Sequence, residues 1–226
     1  MSTLSPDGNP LPTEAQLQSL AIFPLGNVCL FPHTTLPLHI FEPRYRQMIE
    51  RAIADDAPIA IATIDAATAS LSRPSVHPVA GIGRIVQQDR LSDGRYNIVL
   101  KGVARVRVGR ELAVETAWRQ VQATLLHDLV LDSDVVAARM ETLRGIMRSL
   151  AVTNRQVGSV FARLAALTDE PGAFADQVAE ALMRDADMRL NLIAELRVDE
   201  RLERLNARAG ELLARFASMK KAEPRN

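Results

Sequence analysis

Cysteine is almost missing from this 226-residue chain, and the one present, Cys29, excludes an intramolecular disulfide. It stands between Val28 and Leu30 in an apolar run, the place of a small buried hydrophobe rather than of a nucleophile. Histidine is scarce as well. His33, His39, His77 and His127 form no HxH or HxxxH pair, so beside a single thiol they offer no zinc ligand set. Neither sign of charge is in excess: Lys+Arg and Asp+Glu both number 27. The balance also holds locally, at 12 basic and 11 acidic groups over residues 1–126 and 15 and 16 over residues 127–226. Nonspecific nucleic-acid binding draws on surplus cations to release phosphate counterions, and neither half has them. Aromatic residues at 4% leave few rings on which bases could stack.

Catalytic signatures are missing too. No GxxxxGK[ST] phosphate loop occurs, and Gly81-Ile82-Gly83 is a bare GxG in a strand context. Only three cations are lysines, a compositional bias, and none of Lys101, Lys220 and Lys221 is placed for a desolvated Ser–Lys dyad. Asp55-Asp56 reads as the loop at a helix end. No catalytic residue, metal ligand or cofactor is therefore expected. No apolar run approaches the ~18 residues of a membrane span. The opening MSTLSPDGNPLPTEAQ has no basic or apolar signal region, so a cytoplasmic protein without a membrane partner is the expectation.

What the chain does have is concentrated in FPLGNVCLFPHTTLPLHIFEPRYRQM, from Phe23 to Met48. Four prolines (Pro24, Pro32, Pro37, Pro43) punctuate it. Proline lacks the ladder N–H, so these belong at strand starts, edges or turns. Strands are expected at Ala21–Phe23, Val28–Phe31 and Leu36–Phe41, with Leu38 and Phe41 in the core, where truncation to alanine would cost roughly 2–5 kcal/mol. A helix over Arg44–Ala54 follows, with Tyr45, Met48, Ile49 and Ile53 on one face and Pro43 at its first position. Glu42-Pro43-Arg44-Tyr45 admits two readings: an ion pair stapling the corner over a packed Tyr45, or a recognition surface for extended polypeptide.

Further along, Pro58–Asp65 reads as a buried strand and Ala66–Pro78 as a loop. Ala80–Gln87 and Arg95–Lys101 flank Asp93-Gly94, a hairpin signal because glycine accepts the positive φ of a tight turn. In Val103–Val108, valines alternate with Arg105 and Arg107. Glu111–Leu126, with Trp118, supplies the last strands. After His127 the apolar period changes to 3.6, as in Val136, Met140, Leu143, Met147 and Leu150, and helices follow with Asp132 or Ser133 as a cap. The expected organisation is a flexible lead over 1–17, a β-rich domain over 18–127 and an α-helical bundle over 128–226. The stripe ending at Phe216 fits both an intramolecular bundle and homo-oligomerisation.

Over roughly residues 18–215 these features resemble the substrate-binding domain at the N-terminus of Lon proteases. The resemblance rests on the Phe23–Met48 segment, on PIAIATID, on VAGIGRIVQQDRLSDGRYNIVLKGVARVRV with its Gly102-x-x-Arg105 signature, and on DADMRLNLIAELRVDERLERL. It implies an α+β fold, a PUA-like β pseudo-barrel with short helices followed by a helical bundle, in a stand-alone bacterial member without ATPase or protease domains. It also implies that Phe23, Pro24, Leu25, Pro32, Pro37, Phe41, Glu42, Pro43, Arg44, Tyr45, Gly102 and Arg105 are family motif residues of mainly structural role. Two positions depart from the family: His33, where glycine is frequent, and Ala117-Trp118, where a Tyr-Leu pair is common. The function implied is a noncatalytic polypeptide-binding or adaptor module, partnered by unfolded or partly folded polypeptide or by a specific protein. The candidate surface is Phe31, Leu36, Arg44 and Tyr45. The alternative is RNA or nucleotide binding by a PUA-like barrel, through Arg84, Arg105, Arg107 and Arg110.

Overall fold

A computed structural model describes residues 8, 10–153 and 157–222, with side chains as far as 218. Residues 1–7 and 9 of the expected lead, and the side chains of Lys220 and Lys221, lie outside the described residues. The chain divides into two units, one running to His127 and including Asp185–Ala194, the other made of Asp128–Arg184 and the residues from Glu195 on.

The first unit contains α1 (Glu14–Gln18), β1 (Leu20–Leu25), β2 (Thr35–Ile40), α2 (Pro43–Ala54), β3 (Ile59–Thr63), β4 (Val79–Arg90), β5 (Tyr96–Glu111), β6 (Gln120–Leu126) and, later in the chain, α6 (Ala186–Ala194). Strand order is β2-β5-β4-β3-β1-β6, and β6 returns to pair with β5. The ring β5-β4-β3-β1-β6 is therefore a five-stranded barrel. All ring pairs are antiparallel except β1 with β3. The 16-residue β5 serves both halves: Tyr96–Lys101 pairs with β2 and Arg105–Glu111 with β6. The barrel is closed along one half of β5 and open along the other.

Alternation explains the core. Along β3, Ala60 and Ala62 join an inner cluster with Leu20, Ile22, Ile82 and Val106, where small side chains suit a narrow ring. Ile59 and Ile61 face the other way, into a cluster with Tyr45, Met48, Ile49 and Ala52 of α2. Those four α2 positions recur at helical spacing and are buried, the isoleucine and methionine stabilising by about 1.5–3 kcal/mol each. Pro43 occupies the first turn as expected.

The prolines obey the ladder. Ile64 N–H donates to the Leu25 carbonyl (2.9 Å), so the odd residues of β1 bond β3 and the even ones turn the other way. Ile22 N–H accordingly reaches the Arg119 carbonyl (3.0 Å), and Pro24 comes next on that same side, where β1 has no partner residue. On β2, Gly102 N–H donates to the Thr34 carbonyl (2.9 Å) in a continuous register. Residues 36, 38 and 40 thus bond β5, while Thr35, Pro37 and His39 turn outward. Both missing N–H groups fall where no ladder needs them.

Three expectations are corrected. Val28–Phe31 is not a strand but an irregular segment, although Cys29, Leu30 and Phe31 are buried. It lies across the sheet so closely that a Cβ on Gly81 would overlap the Leu30 carbonyl, and one on Gly102 the Phe31 carbonyl. His33 leaves this segment with φ +64°, a conformation that glycine adopts without steric cost. Phe41 is not in the core: it is 61% exposed. Leu36, Leu38 and Ile40 take the inward side of β2, so the odd-numbered Phe41 falls on the other. Finally, the stretch expected to be a flexible lead carries α1, closed by a capping box in which Gln16 N–H donates to Thr13 Oγ1 (3.2 Å) and Thr13 N–H to Gln16 Oε1 (3.0 Å), with Leu17 in the barrel core.

The second unit holds α3 (Ser133–Thr153), α4 (Gly158–Ala165), α5 (Pro171–Leu182) and α7 (Val198–Ala222). Asp132 caps α3 by accepting from Asp134 N–H (2.9 Å) and Val135 N–H (3.1 Å). The stripe Val136, Met140, Leu143, Met147 and Leu150 is buried. Within the unit Arg201, 1% exposed, donates to Asp176 (2.6 Å), also 1% exposed, and to Asp128. Among the described residues no helix is long and apolar enough to cross a membrane.

Candidate functional site

An open groove of about 590 Å³ lies in the first unit where the barrel is unclosed. One wall is the end of β1 (Phe23, Pro24, Leu25), the other the end of β2 and its exit (Leu38, His39, Ile40, Phe41). Tyr45, buried, packs at its base against Phe23, with ring centroids 4.3 Å apart. The segment Val114–Arg119 and Arg73-Pro74 close the remaining side.

Ion pairs hold both rims. At the corner into α2, Arg44 Nε donates to Glu42 (2.9 Å), and the guanidinium lies 4.6 Å over the Tyr45 ring. The corner thus has the stapled form, with Arg44 exposed and Tyr45 packed beneath. Burial raises the Tyr45 hydroxyl above its ordinary pKa. On the opposite rim Arg119 grips Glu111 in a fork (Nε 2.7 Å, Nη2 2.9 Å) and donates to the Pro74 carbonyl (2.8 Å), while Arg73 Nη2 reaches Glu111 at 2.6 Å. The Arg119 hydrogen bonds, seconded by Arg73, hold Glu111 below the usual carboxylate range. A depressed carboxylate stabilises the fold above its ordinary pKa, and that contribution is lost as pH falls through the lower folded-state value. The melting-temperature gap between the protein and Glu111→Gln should therefore narrow on acidification below about pH 4. A gap independent of pH would show that Glu111 acts without its charge.

The candidate surface read from the sequence divides. Arg44 and Tyr45 line the groove, together with the motif residues Phe23, Pro24, Leu25, Phe41 and Glu42. Phe31 does not: its ring is fully buried under Arg189, whose guanidinium lies 5.1 Å away and donates to the Cys29 carbonyl (3.0 Å). Leu36 is half-buried against the α2 core and lies outside the groove. Pro32 is buried in the turn before β2, and Pro37 stands on the outer edge of β2. Gly102 admits the Phe31 backbone, and Arg105 is buried and donates to the Ile193 carbonyl of α6 (3.0 Å).

The alternative arginine face does not form. Arg84 is buried as well, donating to the carbonyls of Pro10 (3.0 Å) and Asp56, and only Arg107 and Arg110 of the four are exposed. Sequence reasoning missed Arg73, Glu111 and Arg119, which meet only through tertiary folding. Trp118 carried a signal, a lone tryptophan in a stretch without clear period, and it packs half-buried beside the groove.

Comparison with known proteins places residues 19–208 in the family of the ATP-dependent protease La (LON) substrate-binding domain. Lon protease 4 of Sorangium cellulosum is 31% identical over 201 residues, 88% of this chain and 24% of that protein. A Lon protease of Xanthomonas oryzae pv. oryzae is 27% identical over 195 residues, 85% of this chain and 23% of its own length. The chain spans about a quarter of the length of these relatives. Among solved structures, the N-terminal domain of Mycobacterium avium complex Lon protease superposes with a TM-score of 0.67 at 21% identity, covering 85% of this chain and 98% of that one. A Lon N-terminal domain protein from Xanthomonas campestris gives 0.59 at 22%, covering 84% and 98%. The two superpositions show the α+β fold expected from the sequence.

Proposed function

The chain belongs to the Lon substrate-binding domain family, and from that premise we propose that it is a noncatalytic, cytoplasmic module that binds unfolded or partly folded polypeptide in the groove at the open side of its barrel. The observation that carries this reading is Phe41, a large aromatic side chain 61% exposed at the wall of a groove that Leu38 and Trp118 also line. An exposed ring at the mouth of a groove of mixed polarity leaves apolar surface that an extended apolar segment would remove from water. Each arginine named on the two rims is hydrogen-bonded to a glutamate, Arg73 and Arg119 sharing Glu111, so recognition rests chiefly on apolar contact.

The test is fluorescence anisotropy of a labelled, permanently unfolded polypeptide titrated with the protein, with the folded parent as competitor. Saturable binding displaced by unfolded chains alone is the expected result, and equal competition by the folded form would overturn the reading. Phe41→Ser should weaken binding at least about fivefold, near 1 kcal/mol. Because the ring is exposed, the same substitution should change folding stability by no more than ~0.5 kcal/mol, well short of a core truncation.

A further inference from the structure

The walls of the groove are strand edges, and their hydrogen-bonding parity specifies more than apolar contact. Among the described residues β2 has β5 as its one neighbour in the sheet. Its register turns the N–H and C=O of Thr35 and His39, and the C=O of Pro37, away from β5, and among the described residues nothing bonds them. Of these three residues His39 lines the groove, and across it lies the end of β1, where Pro24 follows Ile22, the last β1 residue bonded on its even-numbered side. Each edge thus carries a proline at an outward position. Among the described residues the two do not pair with each other along this half as β5 and β6 do along the closed half. Each proline removes one donor and leaves the other outward groups of its edge in place.

We infer that polypeptide enters this seam as an extended strand, hydrogen-bonded through its own backbone to the outward edge of β2 at His39 and its neighbours and completing the open half of the barrel. This rests on the polypeptide-binding reading and adds to it the form of the ligand. Unmet main-chain groups in strand geometry complement another extended backbone and not a helix, whose backbone groups are already paired. Phe23, Leu38 and Tyr45 lie on one side of the inserted strand and solvent on the other. The ligand is therefore a segment with apolar side chains at every second position. Pro37 removes one donor and keeps the ladder short, so binding is transient and tolerant of sequence, because main-chain groups are common to all polypeptides.

The test uses the full chain and a fluorescein-labelled peptide of about ten residues alternating valine and serine, followed by anisotropy. Two further peptides carry N-methyl groups, one on every valine and one on every serine. An added strand turns alternate residues toward the edge, so one methylated peptide should bind at least about tenfold more weakly than the parent and the other should retain most of its affinity. In the protein, His39→Pro removes the outward N–H and His39→Ala keeps it, so binding should be at least about tenfold weaker for the proline variant than for the alanine variant. If the parent binds and both methylated peptides bind equally well, side chains alone hold the ligand: strand addition fails and the polypeptide-binding reading stands. If no unfolded chain binds at all, that reading fails and the inference with it. Self-association that His39→Pro abolishes, without peptide binding, would give the edge to a second copy of the chain and overturn the proposal.

Discussion

Replacing Arg201 by methionine is expected to lower the free energy of unfolding by about 3–5 kcal/mol, because it leaves Asp176 buried without its counter-charge. Arg201 and Asp176 are each 1% exposed, and the guanidinium also donates to Asp128. Burial alone would push the guanidinium pKa down, but the facing carboxylates hold it above its ordinary value, so the charge persists in the folded unit. The pair is not thereby a large net source of stability, since desolvating both ions offsets most of their attraction. That distinction is measurable. Combining Arg201→Met with Asp176→Leu should recover most of the loss in a urea titration, because an apolar pair of similar volume needs no compensation. Additive losses in the double variant would mean that the ion pair contributes something packing cannot replace.

Gly81→Ala and Gly102→Ala are each expected to cost about 3 kcal/mol, at the upper end of what overpacking usually does. The added methyl meets main-chain carbonyl oxygens, of Leu30 at one position and of Phe31 at the other, and backbone held on both sides cannot step aside as a flexible side chain can. Gly145, inside α3 with nothing within 4 Å of an added Cβ, is the control. Alanine there should stabilise by roughly 0.5–1 kcal/mol, through helix propensity alone. Thermal melts of the three variants decide the matter. Unchanged melting temperatures for Gly81→Ala and Gly102→Ala would mean that the Cys29–Phe31 segment is not seated on the sheet as described.

How much of this was legible beforehand can be followed along β2. The proline in TLPLHIF pointed to a strand start, an edge or a turn, because a missing N–H is tolerated there, and Pro37 stands on the outward side of an edge strand. The same string also held the answer for Phe41. Leu36, Leu38 and Ile40 share one side at period 2, which puts residue 41 on the other; hydrophobicity alone suggested the core, and the alternation overrides it. Val28–Phe31 misled for a different reason. A β-rich apolar run signals burial, and these residues are buried, but burial does not decide whether a segment pairs as a strand or lies across a sheet. Gly81 and Gly102, far downstream in the sequence, decide that, by making room for the crossing.

What the residues determined by themselves is local or periodic: α2 opening on Pro43, the hairpin at Asp93-Gly94, the switch from period 2 to period 3.6 after His127, and the family those features resemble. Each follows from steric and hydrogen-bonding rules that act within a few residues. The groove was decided only in three dimensions. Its walls come from β1 and β2, its rim from Arg73, Glu111 and Arg119, and its opening from β5 pairing with β6 along one half and with β2 along the other. No periodicity encodes such meetings, because they depend on which distant edges the closing sheet leaves unpaired. A ladder that closes along only half its length makes both a barrel and a seam.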